Sequence, residues 1–203
     1  MNPERLSLFS IPIQISVCPF FEEIKEELTA EILNLSNLQK DNIESHVAPM
    51  GKINLKESAF NLHDSDSLVL QRLFAWIKQE IESVNNSLTG MNFNCTVKES
   101  WYHVTSYGGS HLPHQHPNCS WCCIFYIEPG DGTSGHNMFH SKEYPGYVDE
   151  GYFWFSEAWA PKPTSGNLVI FPSLLLHSAT PFLENDKQRI VISCNTTVKT
   201  IKK

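Results

Sequence analysis

The stretch Pro113-His114-Gln115-His116-Pro117-Asn118-Cys119-Ser120-Trp121-Cys122-Cys123-Ile124-Phe125-Tyr126-Ile127, residues 113–127, decides how this chain is read. Two histidines stand two residues apart between prolines, and an apolar, aromatic run of strand character follows. The prolines disfavour a helix, and a helix would in any case turn side chains two residues apart away from each other by about 200°. In an extended segment residues 114 and 116 leave the same face, so both imidazoles can share one metal ion.

Working outward, the texture changes near Gly90. Beyond it, short β-rich runs alternate with Gly, Pro and Asn clusters, and strands are expected near 92–107, 119–128, 136–140, 151–156, 166–172, 175–181 and 187–198. Regular short strands with turn signals indicate an antiparallel sandwich or barrel. Residues 129–151 are rich in Gly, Ser, Tyr and acidic side chains and read as a long loop at a site mouth. Before Gly90, residues 5–17 alternate like a strand broken at Pro12, and 40–63 read as loop. A helix is expected over 19–37, burying Phe21, Ile24, Leu28, Ile32 and Leu35. A second runs from a cap at Asp64 or Ser65 to about Ser87, with Leu68, Leu70, Leu73, Phe74, Ile77, Ile81 and Val84 facing inward. The expectation is one domain over 1–203, a mainly β chain with helices (α+β) in which 1–90 supply a strand and supporting helices and 91–203 the β core.

Composition narrows the function. With 203 residues and 41% hydrophobic side chains the chain can bury a core, and a net charge of −7 argues against nonspecific nucleic-acid binding. No apolar run reaches the ~18–20 residues of a membrane-spanning helix. The six cysteines, with Cys122 and Cys123 adjacent, do not form the spacing of a secreted disulfide framework, so a reducing cytoplasm is expected.

Six of the nine histidines lie between residues 103 and 140. Taken singly, most histidines are surface or hydrogen-bonded residues. His114 and His116 stand apart through their spacing, and His177 through its place after Leu174-Leu175-Leu176, where a buried imidazole needs a polar partner. Arg189 opens the apolar run Ile190-Val191-Ile192-Ser193-Cys194, either as an edge residue or as a buried anchor for an anion.

Together, Tyr107-Gly108-Gly109, HQHPNCSWCCIFYI, GNLVIFPSLLLHSATPF and QRIVISCN resemble the 2-oxoglutarate- and Fe(II)-dependent oxygenases, a prolyl-hydroxylase-like superfamily, and most closely a group with a His-x-His-Pro motif. The resemblance covers roughly residues 98–198. It implies a double-stranded β-helix, a jelly-roll barrel buttressed by the N-terminal helices. It further implies that His114, His116 and His177 bind Fe(II), with His116 where the family usually has Asp or Glu, and that Arg189 pairs with the far carboxylate of 2-oxoglutarate. Tyr107, Tyr126, Asn118 and Asn195 are the further candidates for contacts to that cosubstrate. The implied reaction hydroxylates an unactivated C–H of a small-molecule or peptide substrate with dioxygen, releasing succinate and carbon dioxide. No nucleic-acid or membrane partner is expected, and the oligomeric state stays open, a homodimer included.

Three other readings use the same residues. A three-histidine set also serves iron dioxygenases that take no 2-oxoglutarate. A cupin-like metal protein can share such a barrel without redox chemistry. A structural zinc could draw on His114, His116, Cys119, Cys122 and Cys123, although it leaves His177 and Arg189 unexplained.

Overall fold

The computed structural model of the protein describes residues 10–38, 51–141 and 158–201. Its spine is one long strand. In chain order the strands are β1 (Gln14–Val17), β2 (Lys52–Glu57), β3 (Phe93–His114), β4 (Trp121–Glu128), β5 (Asn137–His140), β6 (Ala158–Trp159), β7 (Asn167–Pro172), β8 (His177–Ala179) and β9 (Arg189–Thr200). The helices are α1 (Phe21–Leu38) and α2 (Leu68–Thr89). The first part of β3 pairs with β9, from Phe93 opposite Thr200 to Thr105 opposite Arg189, and its far end pairs with β8. The sheet runs β1-β7-β4-β9-β3-β8-β5-β6, with β2 added to β3 and every pairing antiparallel. It curls into the half-barrel of a jelly roll, as expected.

The two faces of this sheet have different covers. Along β4 every residue from Trp121 to Ile127 is buried, so both faces are enclosed. Cys123, Phe125 and Ile127 join Leu168, Ile170, Ile190 and Ile192 in the larger core, where α1 and α2 pack. Cys122, Ile124 and Tyr126 join Val169, Phe171 and Val191 in a smaller cluster on the concave face. Phe21, Ile24, Leu28 and Ile32 of α1 are buried at helical spacing, as are Leu70, Leu73, Phe74, Ile77, Ile81 and Val84 of α2. Gly90 ends α2 in the left-handed conformation (φ 71°), its N–H returning to the Asn86 carbonyl.

Several expectations change. Residues 51–63 are not plain loop: β2 adds to β3 there, and Leu62–Asp64 forms a single 3-10 turn. The alternation of β2 is hidden because Asn54 takes a positive φ of 44° at a register shift, and because Lys52 and Glu57 are buried polar residues. That 3-10 turn occupies the expected cap, so α2 follows Ser67 instead of Asp64 or Ser65, and Leu68 stays 78% exposed at the first position. Strand β3 runs on past the expected end near 107 to His114, where β8 gives it a partner. The strand expected at 151–156, the start of the 5–17 strand and much of the 129–151 loop lie outside the described residues.

Ile77 is fully buried between α2 and the sheet. Truncation to alanine removes its packing and leaves a cavity, so Ile77→Ala should lower unfolding stability by about 2–5 kcal/mol in urea titrations.

Candidate metal centre

The end of β3 carries the first imidazole. His114 stands directly opposite His177 in the β3–β8 pairing. His116 lies just beyond β3, where its N–H donates to the Ser173 carbonyl (3.2 Å) and the neighbouring Gln115 amide donates to the Leu174 carbonyl. The turn before β8 therefore clamps the His-x-His segment from the other side. The His-x-His pair does not share one strand as expected: His114 ends the strand, and the clamp brings His116 round. The ring centroids of His114 and His116 lie 5.0 Å apart, those of His114 and His177 4.2 Å, and those of His116 and His177 5.1 Å.

The three rings can each offer one nitrogen, and these atoms lie within 4.8 Å of one another. The Nδ1–H of His114 donates to the Leu112 carbonyl (2.8 Å) and that of His177 to the Leu175 carbonyl (3.0 Å). This tautomer leaves an Nε2 lone pair on each ring, the arrangement that ligating histidines use. Nε2 of His116 and Nε2 of His177 face each other at 3.3 Å. Two lone pairs at that separation repel unless a cation or proton lies between them. Two imidazole nitrogens bound to one divalent ion at ~2.1 Å and roughly at right angles sit ~3 Å apart, so the set fits such an ion. Burial, then the neighbouring imidazoles, push His116 down to about 4 and His177 to about 3, and burial also lowers His114. All three are neutral at pH 7, as ligands must be.

Deeper on the concave face lies Arg189, 3% exposed. One guanidinium nitrogen donates to Oδ1 of Asn137 (2.5 Å), which also accepts the Tyr126 hydroxyl (2.8 Å), while Nε of Arg189 has no partner. Arg189 makes no ion pair among the described residues. A buried guanidinium without a counter-charge is costly, and an anionic ligand would relieve it. Gly135 (φ +67°) makes room for it, since a Cβ there would come within 2.9 Å of the arginine Cδ. Burial raises the Tyr126 hydroxyl to about 12, so it stays a hydrogen-bond donor.

The other candidates divide. Tyr126 lies beside Arg189, with the guanidinium carbon 5.6 Å from its ring centre. Asn195 is buried on the same face of β9 and lines the cavity. Tyr107 and Asn118 are corrected: Tyr107 is 52% exposed outside the Arg189 cavity, and Asn118 is an exposed turn residue with φ 60°. Cys119 and Cys122, needed for the zinc reading, are outside the histidine set; their sulfurs face each other at 3.9 Å, and Cys122 also donates to Asn195.

Asn137 was missed, for it carries no motif and acts only through what folds against it. A second omission is the buried group Lys52, Glu57 and His103. The Lys52 ammonium reaches both Glu57 oxygens (2.7 and 2.6 Å), and His103 Nε2 lies 2.6 Å from Glu57 Oε2. His111 bridges this group to the centre, stacking on His114 with centroids 3.8 Å apart. The only signal in the sequence was a pair of charged residues flanking the apolar positions of a short segment.

The curled antiparallel sheet, helices on one face and three imidazoles with a buried arginine on the other, defines a jelly-roll protein with a candidate metal and anion site. Residues 99–195 match the family described as "Putative 2OG-Fe(II) oxygenase". Comparison with curated proteins gives no match. Among solved structures, a prolyl-4-hydroxylase from Pseudomonas putida is similar with a TM-score of 0.63 and 13% identity, over 94% of each chain. A prolyl hydroxylase from Trichoplax adhaerens, solved with a hypoxia inducible factor peptide fragment, gives 0.64 and 14% over 91% of this chain and 83% of that one. HygX from Streptomyces hygroscopicus, solved with nickel, 2-oxoglutarate and hygromycin B, gives 0.61 and 11% over 92% and 83%. At these identities the likeness is one of fold.

Breaking a buried charge pair strands its partner, so Glu57→Gln should destabilise the protein by about 3–5 kcal/mol at pH 7. Burial alone would raise the Glu57 carboxyl, but the hydrogen bond and charge of His103, then those of Lys52, bring it below its ordinary 4.5. Its contribution is therefore present above that value and lost as pH falls through the lower folded-state value. Urea unfolding from pH 7 to pH 3 should show a loss below pH 4.5 that is smaller in Glu57→Gln.

Proposed function

We propose that this protein is a 2-oxoglutarate- and Fe(II)-dependent dioxygenase that hydroxylates a C–H of a small substrate, with His114, His116 and His177 holding the iron. Arg189 takes the far carboxylate of 2-oxoglutarate, steadied by Asn137 and Tyr126. The observation that carries the reading is Arg189: a buried guanidinium with an unpartnered Nε, on the same concave face as three converging imidazoles. Neither a structural zinc nor a cupin-like metal site has a use for that charge. Bound there, iron and 2-oxoglutarate supply the activation of dioxygen and the oxidation of a substrate C–H, with succinate and carbon dioxide released.

The chain's own residues bind, orient and exclude water. The carbonyls of Leu112 and Leu175 fix two imidazole planes. Phe139 and Phe171 pack against His177, with ring centroids at 6.2 and 4.7 Å, and keep one side of the centre dry. The three ligands bring no negative charge, and Arg189 adds a positive one, so a dianionic cosubstrate would offset part of the metal's charge with one carboxylate and answer the buried arginine with the other. Metal and cosubstrate binding are thereby coupled. The thiols are all free, which supports a reducing compartment, and we place the protein in the cytoplasm.

Anaerobic protein with Fe(II) should develop a visible metal-to-ligand charge-transfer band on adding 2-oxoglutarate. His177→Ala should lose tight metal binding, and Arg189→Met should weaken 2-oxoglutarate by about 30-fold or more. His116→Asp should still bind the metal, more tightly than wild type when no 2-oxoglutarate is present, because it restores a negative ligand. No band in the wild type, together with unchanged 2-oxoglutarate affinity in Arg189→Met, would refute the proposal.

A further inference from the structure

Beyond the histidines, on a different side from Arg189, lies a second cavity of about 370 Å³. It shares Trp101, His111, His114, His116 and Asn195 with the Arg189 cavity, so the imidazoles border both. Its volume is in the range of a small-molecule site. Two carboxylates line it, and they differ. Glu57 is held by Lys52 and His103, and its charge is answered within the fold. Glu99 lies exposed at the cavity mouth, which Lys98 also borders, and it makes no ion pair within 4 Å among the described residues.

Glu99 is nonetheless held in place. A β-bulge falls between Val97 and Glu99 in the β3–β9 register. Val97 packs in the helix-side core while Glu99 reaches the cavity, so the bulge re-aims the strand. The Asn195 amide donates to Glu99 Oε2 (2.7 Å), and the orientation of that amide is fixed by Cys122, whose thiol donates to Asn195 Oδ1 (3.2 Å). The rings of Phe60 and Trp101, 5.2 Å between centroids, form an apolar wall of the same cavity, and Trp101 lies 5.7 Å from the His116 ring.

We infer that this cavity receives the primary substrate and that Glu99 selects for a positively charged group on it. The substrate class is a small aliphatic amine or amino acid whose ammonium or guanidinium meets Glu99 while its carbon stem lies along Phe60 and Trp101 toward the imidazoles. An oriented carboxylate at the end of an apolar wall discriminates in this way: a cationic end group gains a charge-assisted pair with Glu99, a neutral one gains none, and an anionic one is repelled. The inference rests on the oxygenase reading for what happens to the substrate, but not for its binding.

The test is isothermal titration of the Fe(II)-loaded protein under anaerobic conditions, with L-arginine, L-lysine and agmatine as cations and L-norleucine and adipate as neutral-tailed and anionic controls. The cations should bind and the controls should not, and Glu99→Gln should weaken the cations by about tenfold or more. Glu99→Asp, which keeps the charge, should recover part of that loss, and thermal melts of both variants report whether they fold. Equal cation binding in wild type and folded Glu99→Gln, preference for a control compound, or no binding of any cation overturns the inference. Absence of the visible band together with unchanged 2-oxoglutarate affinity in Arg189→Met would refute the oxygenase reading and leave this inference standing, since the titration reads cation binding directly.

Discussion

One antiparallel register, His114 opposite His177 at the far end of β3, is the constraint on which the site depends. It joins residues distant in sequence, and because a strand alternates its faces, a slip by one residue would turn one of the two rings away. The hydrogen bonds from residues 115 and 116 to residues 173 and 174 lock the same junction from outside the strands. Three imidazoles then converge without any of them needing an unusual backbone.

Charge explains why the interior is arranged as it is. The concave face holds a buried arginine and three neutral ligands for a cation, and no carboxylate stands among those ligands. A family site with one carboxylate ligand cancels part of the metal's charge itself; this one leaves the balance to what binds. The Lys52–Glu57–His103 group is the counter-example within the same molecule, a set of buried charges that answer one another. Lying beside His111, which stacks on His114, it gives the metal side of the sheet a polar, hydrogen-bonded edge where the helix side is mainly apolar.

Much of this was legible in the sequence. Helical spacing marked the buried faces of α1 and α2, except that Leu35 is only partly buried and Leu68 stays exposed at the first helical position. Strands β4, β7 and β9 declared themselves as apolar runs buried on both faces. Strand β2 did not, since its buried residues are Lys52 and Glu57 and its alternation is broken at Asn54. Tyr107 and Asn118 were plausible by residue type and nearness to the motif, but Tyr107 turns to solvent, and Asn118 serves a turn.

The sequence by itself determined the elements and the chemical type of the site, because hydrophobic periodicity and the donor set His114, His116, His177 and Arg189 are local properties of residues. Tertiary structure alone decided which side chains answer which charges. Asn137 holds Arg189, Glu57 is neutralised while Glu99 is not, and Asn195 aims Glu99 from a neighbouring strand. Those are relations between segments far apart in the chain, fixed by strand register and a bulge, and no spacing within one segment encodes them.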